Sequence, residues 1–524
     1  MRMQRRRRNL GLVALLASAL AAAPALGAWE PEGVDLSRPR ILRFPDGIAA
    51  VQQRLDREPY ATIARRMDDR IRQDENVPLD DHAHARARLK ARAAKNLAFL
   101  YAIERQVVGG VVVPFASPEE RAALGQRVEV LLVNLFDRSR LAVLPPLGDW
   151  DRDLVSADEL MQYATAYDTM LGAGYEFGAA DAVIREKLTN LASELYLNYL
   201  RPETAAEAAN LHQNNHRSKT GAALVLAGVA LAEETPDPAL DPEGLREPSA
   251  WIAYGLDQVD LVLRWVLGAP DGAYAEGPFY YRLNLENLIP FARAWDALVD
   301  GATVEARGVP VPSFWRHPWF RRSLHWVVDM TLPDGSLAPT DDGNVFRTHY
   351  YGAFPEDHEL ADAFAWHWAT GAQPFEIAGG LDLAPDALVH FDDAARAPAP
   401  RAGSPTAFYP EGGNAIFRSD WSRDAVLALV TAESDVASQF GRNREGLGVH
   451  PQSHEHADPG SFLLHAFGER LAIDPGYFTF GERFLVNRPE HHNMILVDGA
   501  GPRDFLGGSF LWPLRGLANR PDVD

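Results

Sequence analysis

The sequence is most informative at Ser453-His454-Glu455-His456-Ala457-Asp458-Pro459-Gly460-Ser461-Phe462, which is followed by Asp474-Pro475-Gly476 and by the run from His491 to Gly499. Six of the sixteen histidines lie between His450 and His492. The residues around them are typical of strands and turns, a framework that holds side chains in fixed directions. This part of the chain therefore predicts a functional site.

The chain is long enough, and apolar enough, to bury a large core. It has 524 residues, of which 47% are hydrophobic, and this size predicts two or more domains. The formal net charge of −21 argues against nucleic acid as a partner. The absence of cysteine excludes disulfides, thiolate ligands and a cysteine nucleophile.

Residues 1–28 have the three parts of a secretory signal peptide. Arg5 to Arg8 form a basic region, Leu10 to Leu20 form an apolar region, and Ala22 to Ala28 form a small-residue cleavage zone. We therefore expect a periplasmic or secreted protein that does not associate with a membrane once the peptide is cleaved. Cleavage removes five arginines, which lowers the net charge from −21 to about −26.

The long segment that follows, residues 29–394, has the apolar spacing of helices. Apolar residues recur three and four positions apart, and Gly, Pro and Asp clusters separate the runs. The predicted helical runs are Asn96–Ile103, Val128–Phe136, Leu160–Leu171, Ile184–Leu200, Thr220–Ala232 and Trp251–Leu267. Many helices in succession without strands predict an all-α architecture for this segment.

After a Pro- and Ala-rich linker at 395–405, the sequence of residues 406–524 is typical of β-structure. The predicted strands are Asn414–Arg418, Ala425–Val430, Ser461–Phe467, Arg470–Ile473 and Met494–Val497, with a turn at Gly468-Glu469. This pattern predicts a sandwich or barrel. Because few residues follow the linker, we expect the β domain to be incomplete and the chain to be a fragment.

Two motifs of the helical segment combine polar and aromatic residues. On a helix, His212, Asn215, His216 and Lys219 form one polar stripe, which either faces a cleft or is an ordinary solvated helix start. The segment Asp271–Arg282 has the glycines and proline of a loop, and we expect it to present Glu276 and one or more tyrosines at a rim. Tyrosines in such a loop also serve simply as packing residues.

The histidines of the β segment suggest a shared site. His454 and His456 lie on one face if they belong to a strand, whereas His491 and His492 point to opposite faces. His456, Asp474 and His492 offer a three-ligand set of the kind that zinc prefers. A structural role for His456 explains its presence equally well, and His465 is interpreted as a packing or surface residue.

The order of these motifs resembles that of the heparinase II/III-like polysaccharide lyases, a group that includes oligo-alginate lyases. The resemblance extends over nearly the whole chain after residue 28, and its most specific part is the histidine and aspartate block. The motifs that carry it are Asn214-Asn215-His216, Glu276-Gly277-Pro278-Phe279-Tyr280, Ser453 to Phe462, Asp474-Pro475-Gly476, and His492 to Gly499.

The resemblance implies an N-terminal (α/α) toroid followed by a C-terminal antiparallel β-sandwich, with the substrate cleft between them. It also implies cleavage of a uronic-acid polysaccharide or oligosaccharide by β-elimination, in which C5 loses a proton and the C4–O4 bond breaks. The chemistry needs a group that neutralises the uronate carboxylate, a base and an acid.

The site residues follow from the resemblance, position by position. Asn215 and His454 neutralise the carboxylate, and His216 and Tyr280 supply base and acid, with Tyr280 as the preferred acid or in both roles. The resemblance also implies a structural Zn²⁺ bound by His456, Asp474 and His492.

Several points stay open in the sequence. Tyr274 and Tyr281 are alternatives to Tyr280, and Phe480 stands where a cleft tyrosine is expected. A non-catalytic glycan-binding module and a zinc-dependent hydrolase are the alternative functions. The sequence does not choose among uronate polysaccharides, between endo and exo action, or among oligomeric states.

Overall fold

The structure is a computed structural model. It describes residues 29, 33–79, 85–135, 154–200, 215–237, 239, 241–263, 269–299, 304–306, 309–311, 313–344, 350–369, 383–391, 404–432, 454, 456, 458–478, 485–486, 488–499 and 501. The predicted signal peptide, most of the predicted linker and the residues after 501 lie outside these ranges, so the proposed domain boundaries stay predictions.

Helices dominate the first three quarters of the described chain. They are α1 (Ile48–Arg54), α2 (Tyr60–Glu75), α3 (Ala85–Ala102), α4 (Pro118–Val133), α5 (Ser156–Gly172), α6 (Ala180–Leu200), α7 (Asn215–Ala230), α8 (Pro248–Leu261), α9 (Gly277–Val299), α10 (Pro318–Asp329), α11 (His358–Ala369) and α12 (Ala384–His390). Each of the six predicted helical runs overlaps one of the helices α3 to α8. No described helix is long and apolar enough to cross a membrane.

Two short hairpins interrupt the helices, and the sequence did not suggest them. Their strands are β1 (Arg105–Val108) with β2 (Val111–Pro114), and β3 (Val304–Ala306) with β4 (Val309–Val311). In the first hairpin Gly109 and Gly110 both have positive φ, which allows the tight reversal of the chain.

Helix α7 is held in place by unusually close packing against α8. A Cβ atom at Gly255 would lie 2.4 Å from the Gly221 carbonyl oxygen, and one at Gly221 would lie 2.8 Å from the Gly255 carbonyl oxygen. The absence of side chains at these two positions lets the backbones approach each other. The first residue of α7 is Asn215, so this contact also fixes the position of a predicted site residue.

The C-terminal part contains a five-stranded antiparallel sheet, which confirms that this part of the described chain is β-structure. The predicted sandwich stays a prediction. Its strands lie in sequence order: β5 (Ala407–Tyr409), β6 (Asn414–Arg418), β7 (Leu427–Thr431), β8 (Phe462–Ala466) and β9 (Glu469–Ala472). Side chains alternate between buried and more exposed along β6 and β7, as expected for a sheet with one face on the core.

Two details of the predicted β-structure are wrong. The β8–β9 turn consists of Phe467 and Gly468, which both have positive φ, and Glu469 already pairs with Ala466. Such a two-residue turn matches the twist of the two strands. Residues 494–497 do not form a strand, because His491 ends a short 3₁₀ helix and the following residues bend toward a bridge at Val497.

The sheet packs directly on the helical part. Trp326 Nε1 on α10 donates to Asn414 Oδ1 at 3.0 Å, and the Tyr409 hydroxyl donates to Asp329 at 2.5 Å. Apolar residues from the helices and from strands β5 to β8 belong to one continuous buried cluster. The sheet is therefore fixed on the helices by a shared core, and residues of both parts can form one site.

Candidate functional site

A short loop after α10 connects the two parts through one carboxylate. Asp342 is completely buried and accepts hydrogen bonds from His454 Nδ1 at 2.8 Å and from His456 Nε2 at 3.0 Å. Because both ring nitrogens donate to it, the opposite nitrogen of each ring, Nε2 of His454 and Nδ1 of His456, keeps a lone pair when the ring is neutral. One aspartate thus sets the tautomers of both histidines.

The environment of Asp342 favours its charged form. Burial acts to raise its pKa, but the hydrogen bonds from His454 and His456 outweigh burial and hold the pKa below its usual range. The backbone also fixes the loop, since Asp342 N–H donates to the His454 carbonyl at 3.0 Å and His456 N–H donates to Asp341 Oδ1 at 3.3 Å. His454 and His456 therefore share a site as predicted, although they do not lie on a strand.

Tyr280 lies in the first turn of α9 against this pair. Its ring stacks on the ring of His454 with a centroid separation of 3.6 Å and an interplanar angle of 17°, and Tyr477 contacts both rings edge-on. Burial, together with Tyr477 and Asp342, raises the Tyr280 pKa well above its usual value. The phenol consequently holds its proton at neutral pH, as a proton donor must.

The two alternative tyrosines are core residues. Tyr281 is fully buried, its hydroxyl hydrogen-bonds Ser323, and its ring packs on Trp326. The Tyr274 hydroxyl accepts from Asn284 Nδ2 at 2.9 Å. Among the three tyrosines, Tyr280 is the one that stacks on a predicted site histidine.

Asn215 is held by a buried glutamate. Glu276 Oε2 accepts from the Asn215 backbone N–H at 3.2 Å and from Asn215 Nδ2 at 3.1 Å. Glu276 is 0% exposed, so the expectation that it lies at a rim is wrong. The cause is local: Gly277 has positive φ and turns the chain against the Asp342 loop, where a Cβ atom at Gly277 would lie 2.8 Å from Asp341 Oδ2.

The rest of the predicted polar stripe is only partly within the described chain. His212 lies outside the described residues, and α7 begins at Asn215. His216 and Lys219 are both buried, and the Lys219 ammonium lies 3.5 Å from Asp158 and 3.8 Å from Glu286. The stripe is therefore not a solvated helix start.

The three predicted metal ligands come together. His456, Asp474 and His492 are all buried, and one ligand atom of each lies within 4.8 Å of those of the other two. His456 Nδ1 and His492 Nε2 are buried and have no hydrogen-bond partner among the described residues. Two orphaned imidazole nitrogens beside a carboxylate are the donor set that zinc prefers, so these residues fit the ion.

A neighbour of these residues supports one of the histidines: Asp342 accepts from His456 Nε2 at 3.0 Å. Within the set itself, Asp474 Oδ2 accepts from His492 Nδ1 at 2.6 Å. A carboxylate on the far nitrogen of a histidine fixes the ring and strengthens it as a ligand. The exposed His491 is separate from the set, and the buried His465 packs inside strand β8.

Three neighbouring residues were not singled out by sequence reasoning. Asp342 and Tyr477 contact His454, and Asp458 is buried with Oδ2 unpaired among the described residues. Burial and the nearby Asp474 raise the pKa of Asp458 to about 6. Asp458 lies within the quoted run from Ser453 to Phe462, and Tyr477 directly follows Asp474-Pro475-Gly476, whereas only the Asp341-Asp342-Gly343 turn pattern marks Asp342. Phe480 lies outside the described residues.

A cavity elsewhere on the described chain does not coincide with this site. It has a volume of about 640 Å³ and is lined by residues that include Trp315, His317, Arg321 and His325. Its ionisable residues are already paired, for example His325 with Asp357 at 3.1 Å. None of the predicted site residues lines it.

Comparison with known proteins agrees with the motifs. Residues 403–523 match the family described as "Heparinase II/III-like, C-terminal". The resemblance seen in the sequence is thereby confirmed for that part of the chain. No curated protein matches the chain.

Two solved structures match this chain at low sequence identity. The structure titled "Heparinase III-BT4657 gene product" is 14% identical, with a TM-score of 0.45, and the match covers 93% of this chain and 66% of that one. Heparan sulfate lyase HepC from Pedobacter heparinus is 13% identical, with a TM-score of 0.43 and coverage of 88% and 70%. The present chain therefore spans just under two thirds of the length of the first of these proteins.

Proposed function

We propose that this chain, whose residues 403–523 match the heparinase II/III-like C-terminal family, is a lyase that cleaves uronate-containing polysaccharide by β-elimination at C4–O4. One observation carries the proposal: the stacked pair of Tyr280 and His454, which joins a helical residue to a residue near the sheet. A protonated phenol against a histidine of fixed tautomer is a suitable pair for moving one proton while neutralising a carboxylate.

The acidity of the substrate C5–H depends on its carboxylate. Asn215 donates to Glu276 through one N–H of its side chain, which leaves the second N–H to bind the uronate carboxylate. His454 donates to the same group through Nε2 in its protonated form, since its Nδ1–H is already bonded to Asp342. Oriented donors of this kind gain strength as charge develops on the enolate, which lowers the barrier.

The proton transfers are assigned to Tyr280 and His216. Tyr280 protonates the O4 leaving oxygen, because its hydroxyl carries a proton at neutral pH and its ring is held against His454. His216, next to Asn215 on α7, removes the C5 proton, or Tyr280 serves both steps on substrates whose two reacting groups lie on one side of the sugar ring. The electron pair of the C5–H bond forms the C4–C5 double bond as C4–O4 breaks.

The proposed Zn²⁺ has a structural role. His456, Asp474 and His492 would hold it, and when bound the ion would tie the loop at 454–458 to the sheet and to the 3₁₀ turn. All three ligands are buried, and a hydrolytic zinc needs an open coordination position for water. This burial supports a lyase over the alternative zinc-dependent hydrolase.

The remaining alternative is a non-catalytic glycan-binding module. A binding module has no need of a proton donor stacked on a site histidine, and the Tyr280–His454 pair therefore favours turnover.

The finer architecture belongs to the same proposal. The helices form an (α/α) toroid, the five-stranded sheet belongs to a β-sandwich, and residues 1–28 direct export to the periplasm or the outside of the cell.

The test is a screen of the purified full chain against alginate, heparin-like, hyaluronan-like and bacterial uronate polysaccharides. We expect ultraviolet absorbance from the conjugated product with one class of substrate. Asn215→Ala and His216→Ala should each reduce turnover by about two to four orders of magnitude. Wild-type rates in both variants would refute the site.

A further inference from the structure

Glu276 has an unusual setting for an acidic side chain. It is 0% exposed, and its Oε2 accepts two hydrogen bonds from Asn215. Its second oxygen, Oε1, is buried and has no hydrogen-bond partner among the described residues. Within that part of the chain no cation pairs with the carboxyl group.

Among the residues that the structure describes, the groups around Glu276 provide no compensating positive charge. Asn215 is neutral, and Tyr274 and Tyr280, on the same loop and helix, are phenols whose own pKa values are raised by burial. From the opposite loop Asp342 contributes a negative charge, and this carboxylate accepts hydrogen bonds from His454 and His456. A buried carboxyl group in such surroundings is more stable in its protonated form.

A neutral carboxyl group also suits the proposed chemistry. In a complex in which Asn215 binds the uronate carboxylate, only the Asn215 side chain separates that carboxylate from Glu276. The enolate adds negative charge to the same carboxylate. A charged Glu276 would repel both states. We propose that Glu276 is a positioning residue that works in its protonated form: it holds the Asn215 amide and keeps the carboxylate-binding site free of negative charge. This inference rests on the proposed lyase function.

The expected titration follows from the environment. Burial raises the Glu276 pKa to about 8, with Asp342 adding to the rise and the Asn215 hydrogen bonds opposing it. The carboxyl group is therefore neutral at pH 7 and becomes charged above about pH 8. Ionisation would weaken binding of the uronate, so kcat/KM should fall on the alkaline side.

Glutamine tests this directly, because it has the shape of a protonated glutamate and cannot ionise. Glu276→Gln should keep kcat/KM within a few-fold of wild type at pH 7 and should lose the alkaline fall near pH 8. Glu276→Ala should lose at least about tenfold, because it leaves the donors of Asn215 without an acceptor. Asp296→Asn is the control: it removes another carboxyl group of raised pKa, roughly 30 Å further along the chain on α9, and should leave the alkaline limb unchanged.

Three outcomes would overturn the inference. Glu276→Gln could be as inactive as Glu276→Ala, which would show that the charged form is required. The alkaline limb of Glu276→Gln could match that of wild type, or Glu276→Ala could have wild-type activity.

Thermal unfolding provides a readout that does not need activity. The folded-state pKa is raised above the ordinary 4.5, so the stability that the protonated group contributes is lost as pH rises toward about 8. The melting temperature of wild type should decline relative to that of Glu276→Gln between pH 5 and pH 8. Above about pH 8 the difference between the two melting temperatures should stay constant. A difference in melting temperature that does not change between pH 5 and pH 8 would refute a neutral Glu276. An inactive wild type with the expected decline would instead refute the lyase proposal alone.

Discussion

Tyr280 and Tyr281 show how neighbouring residues of one type acquire different roles. Successive residues of a helix point about 100° apart, so only one of two adjacent tyrosines faces a given neighbour. Tyr280 stacks on His454, and Tyr281 packs into the core against Trp326. The sequence correctly indicated this loop but could not choose between them, because the choice depends on which distant residues pack on the helix.

We expect Tyr280→Phe to abolish nearly all turnover while the protein stays folded, since the change removes only the hydroxyl group. Tyr281→Phe is the matched control. It removes a buried hydroxyl that contacts Ser323 and should cost about 1 kcal/mol of stability with little effect on kcat. Steady-state rates and thermal melts of both variants provide the measurement. Full activity in Tyr280→Phe would reassign the acid.

The Asp342 loop joins elements that are far apart in the sequence. Its contacts with His454 and His456 span 112 and 114 residues, and no local pattern of one sequence encodes such a pairing. The grouping of His456, Asp474 and His492 was predicted, because ligand chemistry is visible in residue type. The carboxylate that orients two of the site histidines was missed, because an Asp-Asp-Gly turn is common in loops of any kind.

Asp342→Asn should impair both histidines together. An asparagine side chain has only one acceptor oxygen, so it can accept from one of the two imidazoles and presents a donor to the other. We expect metal affinity to fall by about 10- to 100-fold, measured by competition with a chelator, and kcat to fall as well. Asp329→Asn, which alters a buried contact to Tyr409, should lower stability without changing metal affinity. Equal metal affinity in the two variants would contradict this role.

His492 and His491 provide a matched pair for the metal proposal. The His492 side chain is completely buried beside Asp474, whereas His491 is exposed. Chelation or His492→Ala should therefore lower the melting temperature and reduce activity as a consequence, because metal binding contributes folding energy. His491→Ala should do much less. Metal analysis and thermal melts decide the matter, and absence of bound zinc from the wild-type protein would refute the ligand assignment.

For the molecule as a whole, the change from helices to strands was predictable and the contact between the two parts was not. Hydrophobic periodicity located helices α3 to α8 and four of the five strands of the sheet. The shared core depends on contacts such as Trp326 with Asn414, which periodicity does not report. The failed strand at 494–497 has a related cause, since the apolar run that follows His492 resembles a strand in sequence.

The central claim is that the chain cleaves by elimination, and mass balance tests it most directly. A defined uronate oligosaccharide is digested with the purified chain, and the two products of a single cleavage are weighed by mass spectrometry. Elimination adds no water, so we predict that the product masses sum to the mass of the substrate, with one product unsaturated. A sum that exceeds the substrate by one water would show hydrolysis and would contradict the account.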